Sequence, residues 1–179
     1  MVGIYRLIGA TVLGGAMAAS FAVGTPASAQ PRAALDPICQ AADLGLSFGH
    51  AEGAAGTVYR AVQFTNYGDN TCVLQGFPGV SYVDGDGNQV GAAARRDGPA
   101  GSLVTLDPGA TASAIVGFVQ IGLFDPAVCQ PTPVAGIQVY PPDSTESLFL
   151  EMPGQQGCAG DVSPSAQLKV LPMTDDPGA

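Results

Sequence analysis

Turn-forming residues recur about every ten positions from Asp43 onward, and the stretches between them alternate apolar with polar side chains. Strands of roughly four to eight residues fit that spacing, and helices of ordinary length do not. In 57–66, Val58, Val62 and Phe64 share one face, and Arg60 falls on the same face and interrupts it. That arginine is expected either where the strand runs off the core or snorkelling to an edge. Ala112, Ala114, Val116 and Phe118 alternate with Thr111 and Ser113. Ile137 with Val139, then Leu148, Leu150 and Met152, then Ala166, Leu168 and Val170 repeat the pattern, with Gln167 and Lys169 pointing the other way. Further strands are expected at 43–49, 79–83, 89–93 and 103–106, and Asp84-Gly85-Asp86-Gly87-Asn88 reads as a hairpin turn. At most one helical turn fits, between Leu123 and Cys129. Eight or nine short strands without helices predict an all-β, immunoglobulin-like antiparallel β-sandwich. The 25 glycines and 15 prolines of the chain then read as turns between strands, not as disorder.

The first 29 residues carry a different signal. Arg6 precedes the uncharged run Leu7 to Val23, and Thr25-Pro26-Ala27-Ser28-Ala29 ends in an A-x-A cleavage pattern. This is the layout of a secretory signal peptide. Leu35-Asp36-Pro37-Ile38-Cys39 lacks the small residues a lipobox requires, so a secreted protein is expected, soluble or held to the envelope non-covalently, without a stable transmembrane anchor. Residues 30–38 read as a flexible lead, 39–172 as one domain and 173–179 as a loose acidic tail. Of six basic residues the leader holds one, against none of the 15 acids. A mature chain this acidic has no electrostatic footprint for nucleic acid. The single histidine excludes sites built on two imidazoles.

Export changes the meaning of Cys39, Cys72, Cys129 and Cys158. An even number in an oxidising compartment implies two disulfides, with three connectivities open. Cys39 precedes one strand and Cys72 follows the next, so in an antiparallel pair those ends meet. Cys129 and Cys158 bracket the strands at 135–140 and 147–152 in the same way. Bridges Cys39–Cys72 and Cys129–Cys158 are expected, each closing about 30 residues.

The order of short motifs carries a resemblance. Cys39-x3-Asp43-Leu44, Gly56-x2-Tyr59, Phe64-Thr65-Asn66-x-Gly68 and Cys72-x-Leu74 are followed by Gly76-Phe77-Pro78-Gly79-Val80-Ser81 and Asp86-Gly87-x2-Val90-Gly91. Leu106-x-Pro108-Gly109, Cys129, Val139-Tyr140-Pro141-Pro142 and Cys158 complete the series. Over Cys39 to Pro172 the chain resembles the domain of unknown function 4232, found in secreted and lipoprotein chains of actinobacteria. The resemblance implies an immunoglobulin-like sandwich outside the membrane, and it brings no activity, substrate or catalytic residue.

Few constellations carry chemistry. Gly45-Leu46-Ser47-Phe48-Gly49 matches G-x-S-x-G and is followed by His50, but the hydrolase elbow needs a strand, a strained turn and then a helix. Here the motif lies inside a strand-like run, where Ser47 and His50 would face opposite ways. Asp84, Asp86 and Asn88 are spaced like the start of a calcium loop, yet Gln89 and Arg95 stand where Gly and Glu are required. A weak open calcium site on the hairpin tip is the residual reading. The acids Asp69, Asp84, Asp86, Asp97, Asp107 and Asp125 are scattered on turns, and without tryptophan there is no aromatic sugar platform for a glycosidase pair. Tyr59, Tyr67, Tyr82 and Tyr140 are expected as core-edge residues or strand fillers, and Arg95-Arg96 as solvated loop charges. Cys129-Gln130-Pro131-Thr132-Pro133 has the stiff, disulfide-tied chemistry of a protease-inhibitor loop. The expectation is a non-enzymatic binding or interaction module for an extracellular or envelope protein or glycan, without cofactor or metal. The alternatives are a hydrolase using Ser47 and His50, and an inhibitor presenting residues 129–133.

Overall fold

Period-two apolar patterning requires sheets that bury one face each, and two such faces must cover one another. The computed structural model of the chain describes residues 36–178. The signal-peptide reading of residues 1–29 lies outside them. In chain order the strands are β1 Leu44–Ala54, β2 Thr57–Asn66, β3 Cys72–Leu74, β4 Gly79–Val83, β5 Gln89–Val90, β6 Arg95–Arg96 and β7 Val104–Leu106. They continue with β8 Thr111–Val119, β9 Pro131–Pro133, β10 Gly136–Tyr140, β11 Leu148–Glu151, β12 Gln156–Cys158 and β13 Leu168–Val170. A five-stranded sheet runs β1-β2-β8-β13-β6, and a four-stranded sheet β11-β10-β4-β5. Their inner faces share one core: Val62, Phe64, Ala114 and Val116 from the first meet Val80, Tyr82, Ile137 and Val139 from the second. This is the all-β sandwich the patterning predicts.

The β1–β2 hairpin sets the register of the larger sheet. Ala54 pairs with Thr57, and the two residues between, Ala55 (φ 48°) and Gly56 (φ 77°), both have left-handed backbone. Two positive φ angles give the turn whose twist matches that of the flanking strands. Between Phe48 and Ala51 the register shifts, because Gly49 and His50 form a bulge in β1. Leu123 to Cys129 resolves into the end of a 3₁₀ turn, Ile121–Leu123, and the single-turn helix α1, Pro126–Cys129, capped by the Asp125 carboxylate on the Ala127 N–H.

Both disulfides join the expected partners, Cys39–Cys72 and Cys129–Cys158. Several other expectations change. Pro37 and Ile38 are not a loose lead: the Val73 N–H donates to the Pro37 carbonyl, and Ile38 bridges Val73 in parallel. The tail is docked as well. Thr174 pairs with Ser113, the Ser113 hydroxyl donates to the Asp176 carbonyl at 2.6 Å, and Gln63 donates to the Pro177 carbonyl at 2.6 Å. Unpaired backbone beside β8 attracts the segment, and buried Met173 anchors it. Gln167 is buried instead of facing solvent. It lies one residue ahead of β13, outside the alternation of that strand, and turns inward to bond buried backbone. Arg95-Arg96 forms an edge strand parallel to β13 instead of a loop.

Candidate ligand cavity at Arg60

Arg60 sits on β2 opposite Ala51 and Val116, at the end of the sandwich where β1 leaves the core. From His50 of the bulge to Ala54, five residues are exposed. Phe48, the last residue before it, packs edge-on against Phe118 with ring centroids 6.4 Å apart. The same ring carries the Arg60 guanidinium, whose central carbon lies 4.2 Å from the ring centroid. The arginine is therefore held by a cation–π contact, half-buried, where the strand runs off the core. Its Nε–H is buried and, among the described residues, has no hydrogen-bond partner. Among the described residues the one ion pair is His50 with Glu52, at 3.5 Å, so Arg60 has no carboxylate partner either.

The guanidinium lines a cavity of about 400 Å³, within the size range of small-ligand sites. Val58 and Phe118 come from the larger sheet and Tyr82 from the smaller. Met152 and the turn through Gln155 and Gln156 close one side, and Gln120 to Gly122 the other. Tyr82 is buried, with its ring 6.1 Å from that of Phe118. Burial pushes its phenol up to about 12, because a phenolate there would lose its hydration. The Cys129–Cys158 bridge fixes β12 beside β9, and β12 begins at the cavity residue Gln156. The arrangement offers one cation, an apolar wall and three primary amides able to donate or accept.

The other predicted positions behave differently. The Ser47 hydroxyl donates to the Gln63 side-chain carbonyl at 2.9 Å, and the His50 imidazole faces Glu52. The bulge at Gly49–His50 breaks strict alternation, so parity no longer separates Ser47 from His50; among the described residues they share no hydrogen bond. The motif runs straight through β1 without the strand–turn–helix of an elbow. At the hairpin tip, Asp84 Oδ1 accepts from the N–H groups of Asp86 at 2.9 Å and Asn88 at 2.8 Å. These bonds, Asn88 foremost, hold the Asp84 carboxyl below the usual range. The carboxylate thus caps its own turn. Among the described residues no group of three or more His, Cys, Asp or Glu is placed to hold a metal ion.

Residues 131–133 pair with 156–158, and Cys129 is buried, so the stiff proline segment is a stapled strand and not a free extended loop. Arg95 donates to the Pro164 carbonyl at 3.4 Å, beside its pairing partner Lys169. Tyr59 and Tyr140 are half-buried, while Tyr67 stands out 75% exposed, against the core-edge expectation. No helix among the described residues is long and apolar enough to cross a membrane.

The family model described as a domain of unknown function, DUF4232, matches residues 39–174, nearly the whole described chain. The chain belongs to the DUF4232 family. Its match begins at the first cysteine and ends at Thr174, the residue that pairs with Ser113, so the DUF4232 domain takes in both disulfides and the Arg60 cavity. No curated protein and no solved structure matches the chain. In the sequence Arg60 stands out as a break in an apolar face, but no pattern there shows that Phe48, Tyr82, Phe118 and Met152 gather around it.

Proposed function

We propose that this DUF4232 domain is an exported, non-enzymatic binding module, acting in the extracellular space or cell envelope, with the Arg60 cavity as its ligand site. The observation that carries the reading is the uncompensated guanidinium inside an open, partly apolar cavity. Half-buried and held over Phe48, the guanidinium keeps unfilled hydrogen-bonding capacity, which a ligand acceptor entering the cavity would take up. Export is supported by the leader pattern and by the paired cysteines, which suit an oxidising compartment. The cavity is sized for a small molecule, or for a projecting group of an envelope protein or glycan.

The test is a small-molecule screen followed by amide chemical shifts of the purified protein. Binders should perturb a contiguous set at Val58, Arg60, Tyr82, Phe118 and Gln156. Covalent labelling of the protein by an active-site serine probe, lost in Ser47→Ala, would instead establish the hydrolase reading and remove this one.

A further inference from the structure

Arg60 is half-buried at the cavity, whereas Arg95 and Arg96 are exposed. The chain holds 15 acidic residues against six basic ones, so a carboxylate partner was easily supplied by sequence. Even so, among the described residues none pairs with Arg60. Its contact is the face of Phe48, which attracts a cation but accepts no in-plane N–H. The Nε–H is buried and unpartnered, so the edge of the guanidinium fork that a ligand can reach is the Nη1/Nη2 pair, which meets no carboxylate among the described residues. A planar fork with a free edge matches a carboxylate in two parallel hydrogen bonds, a geometry an ammonium does not provide.

We propose that the Arg60 cavity binds a small organic monocarboxylate, its carboxylate taken by the guanidinium and its apolar body lying against Phe118, Tyr82 and Met152. The inference rests on the cavity being the ligand site and adds the chemistry of its occupant. Three features of the lining select that class. The cavity holds one cation, which one negative charge neutralises. A phosphate monoester brings about −1.5 to −2 at neutral pH, and the excess would stand in an acidic protein with no second cation lining the cavity. The apolar wall rewards a hydrocarbon body over an inorganic anion. Gln120, Gln155 and Gln156 supply neutral polar groups at the mouth, suited to an amide or hydroxyl on the same ligand. A second anion-attracting place exists at Arg95 and Lys169, which line a separate shallow depression, but Arg95 is exposed and already donates to Pro164.

The experiment compares 3-phenylpropionate with its neutral isostere 3-phenylpropanamide by calorimetry and amide chemical shifts on the purified protein. The wild type is set beside Arg60→Met, Arg60→Lys and Arg95→Met, each first verified as folded by its amide spectrum. The expected result is that the acid binds at the cavity at least ten-fold more tightly than the amide. Arg60→Met should abolish the difference, Arg60→Lys retain only part of it, and Arg95→Met leave it unchanged. Equal binding of acid and amide with shifts at Tyr82 and Phe118 would overturn the carboxylate inference while leaving the cavity as the site. Acid binding lost in Arg95→Met but kept in Arg60→Met would overturn it in favour of the basic edge. Absence of any shift at the cavity with either compound would overturn both readings.

Discussion

At Gln167 one buried amide satisfies three backbone groups. Its Oε1 accepts from the Cys158 N–H at 2.6 Å, and its Nε2 donates to the carbonyls of Val90 at 3.0 Å and Cys158 at 3.1 Å. Leucine fills similar volume but leaves all three unpaired, so Gln167→Leu should destabilise the domain by roughly 2–4 kcal/mol, read from denaturant unfolding. Arg60 should behave in the opposite way. Its unpartnered Nε–H and half-buried charge cost stability, and Arg60→Met should leave the melting temperature unchanged or raised; a clear fall would show that the arginine serves the fold. Tyr82 gives a pH test. Its phenol is neutral in both states below 10.0; between there and about 12 the unfolded chain loses its proton first, so stability falls as pH rises through that window. Ultraviolet titration should show a late phenol near 12 that Tyr82→Phe removes. The inward turn of Gln167 and the surroundings of Arg60 escape the sequence pattern for one physical reason. Alternation reports a face, but it does not report which backbone groups or rings wait across the core.

Among the elements, the long strands are legible in the sequence, as are the short β5, β7 and β13 that fall inside expected segments, and β3, β6, β9 and β12 are not. β2 matches its predicted limits of 57–66, and β4 its limits of 79–83, because each is long enough to show period two and is bounded by turn residues. β3, β6, β9 and β12 have three residues or fewer and show no period; tertiary partners alone define them. β1 runs five residues beyond its expected end because the bulge lets it follow β2 out past the core. The short strands bring the cysteines together: β12 carries Cys158 to β9 beside Cys129, and β3 carries Cys72 beside Ile38 and so next to Cys39. The disulfides close sequence separations of 33 and 29, and loop entropy assigns each about 3–4 kcal/mol. Replacing Cys129 and Cys158 together by serine should lower stability by that order. It should also weaken ligand binding, since the bridge holds the strand that begins at Gln156. Replacing Cys39 and Cys72 should cost similar stability, judged by denaturant midpoint, with affinity retained, because that bridge lies at the far end of β2 from Arg60.

For the whole molecule, the two sheets and their shared core follow from patterning that any reader of the sequence can see, but the site does not. It is assembled from β2, β4, β8 and two turns that are distant in the chain, so its lining becomes visible only when the sheets are stacked. Both ends of the described stretch also belong to the domain. Pro37 and Ile38 lie beside β3, and Thr174 to Pro177 beside β8 and β2, which explains why a chain rich in glycine and proline still forms one body from 36 onward. Net acidity, −9 for the full chain, excludes polyanion partners at long range yet is compatible with one cation acting at contact distance inside a cavity, where screening by salt is weak. The most direct measurement of that claim is the Arg60 Nε–H resonance during titration with 3-phenylpropionate. A downfield shift that saturates together with the Tyr82 and Phe118 signals is the expected result. An Arg60 Nε–H that stays in place while other residues shift would contradict it.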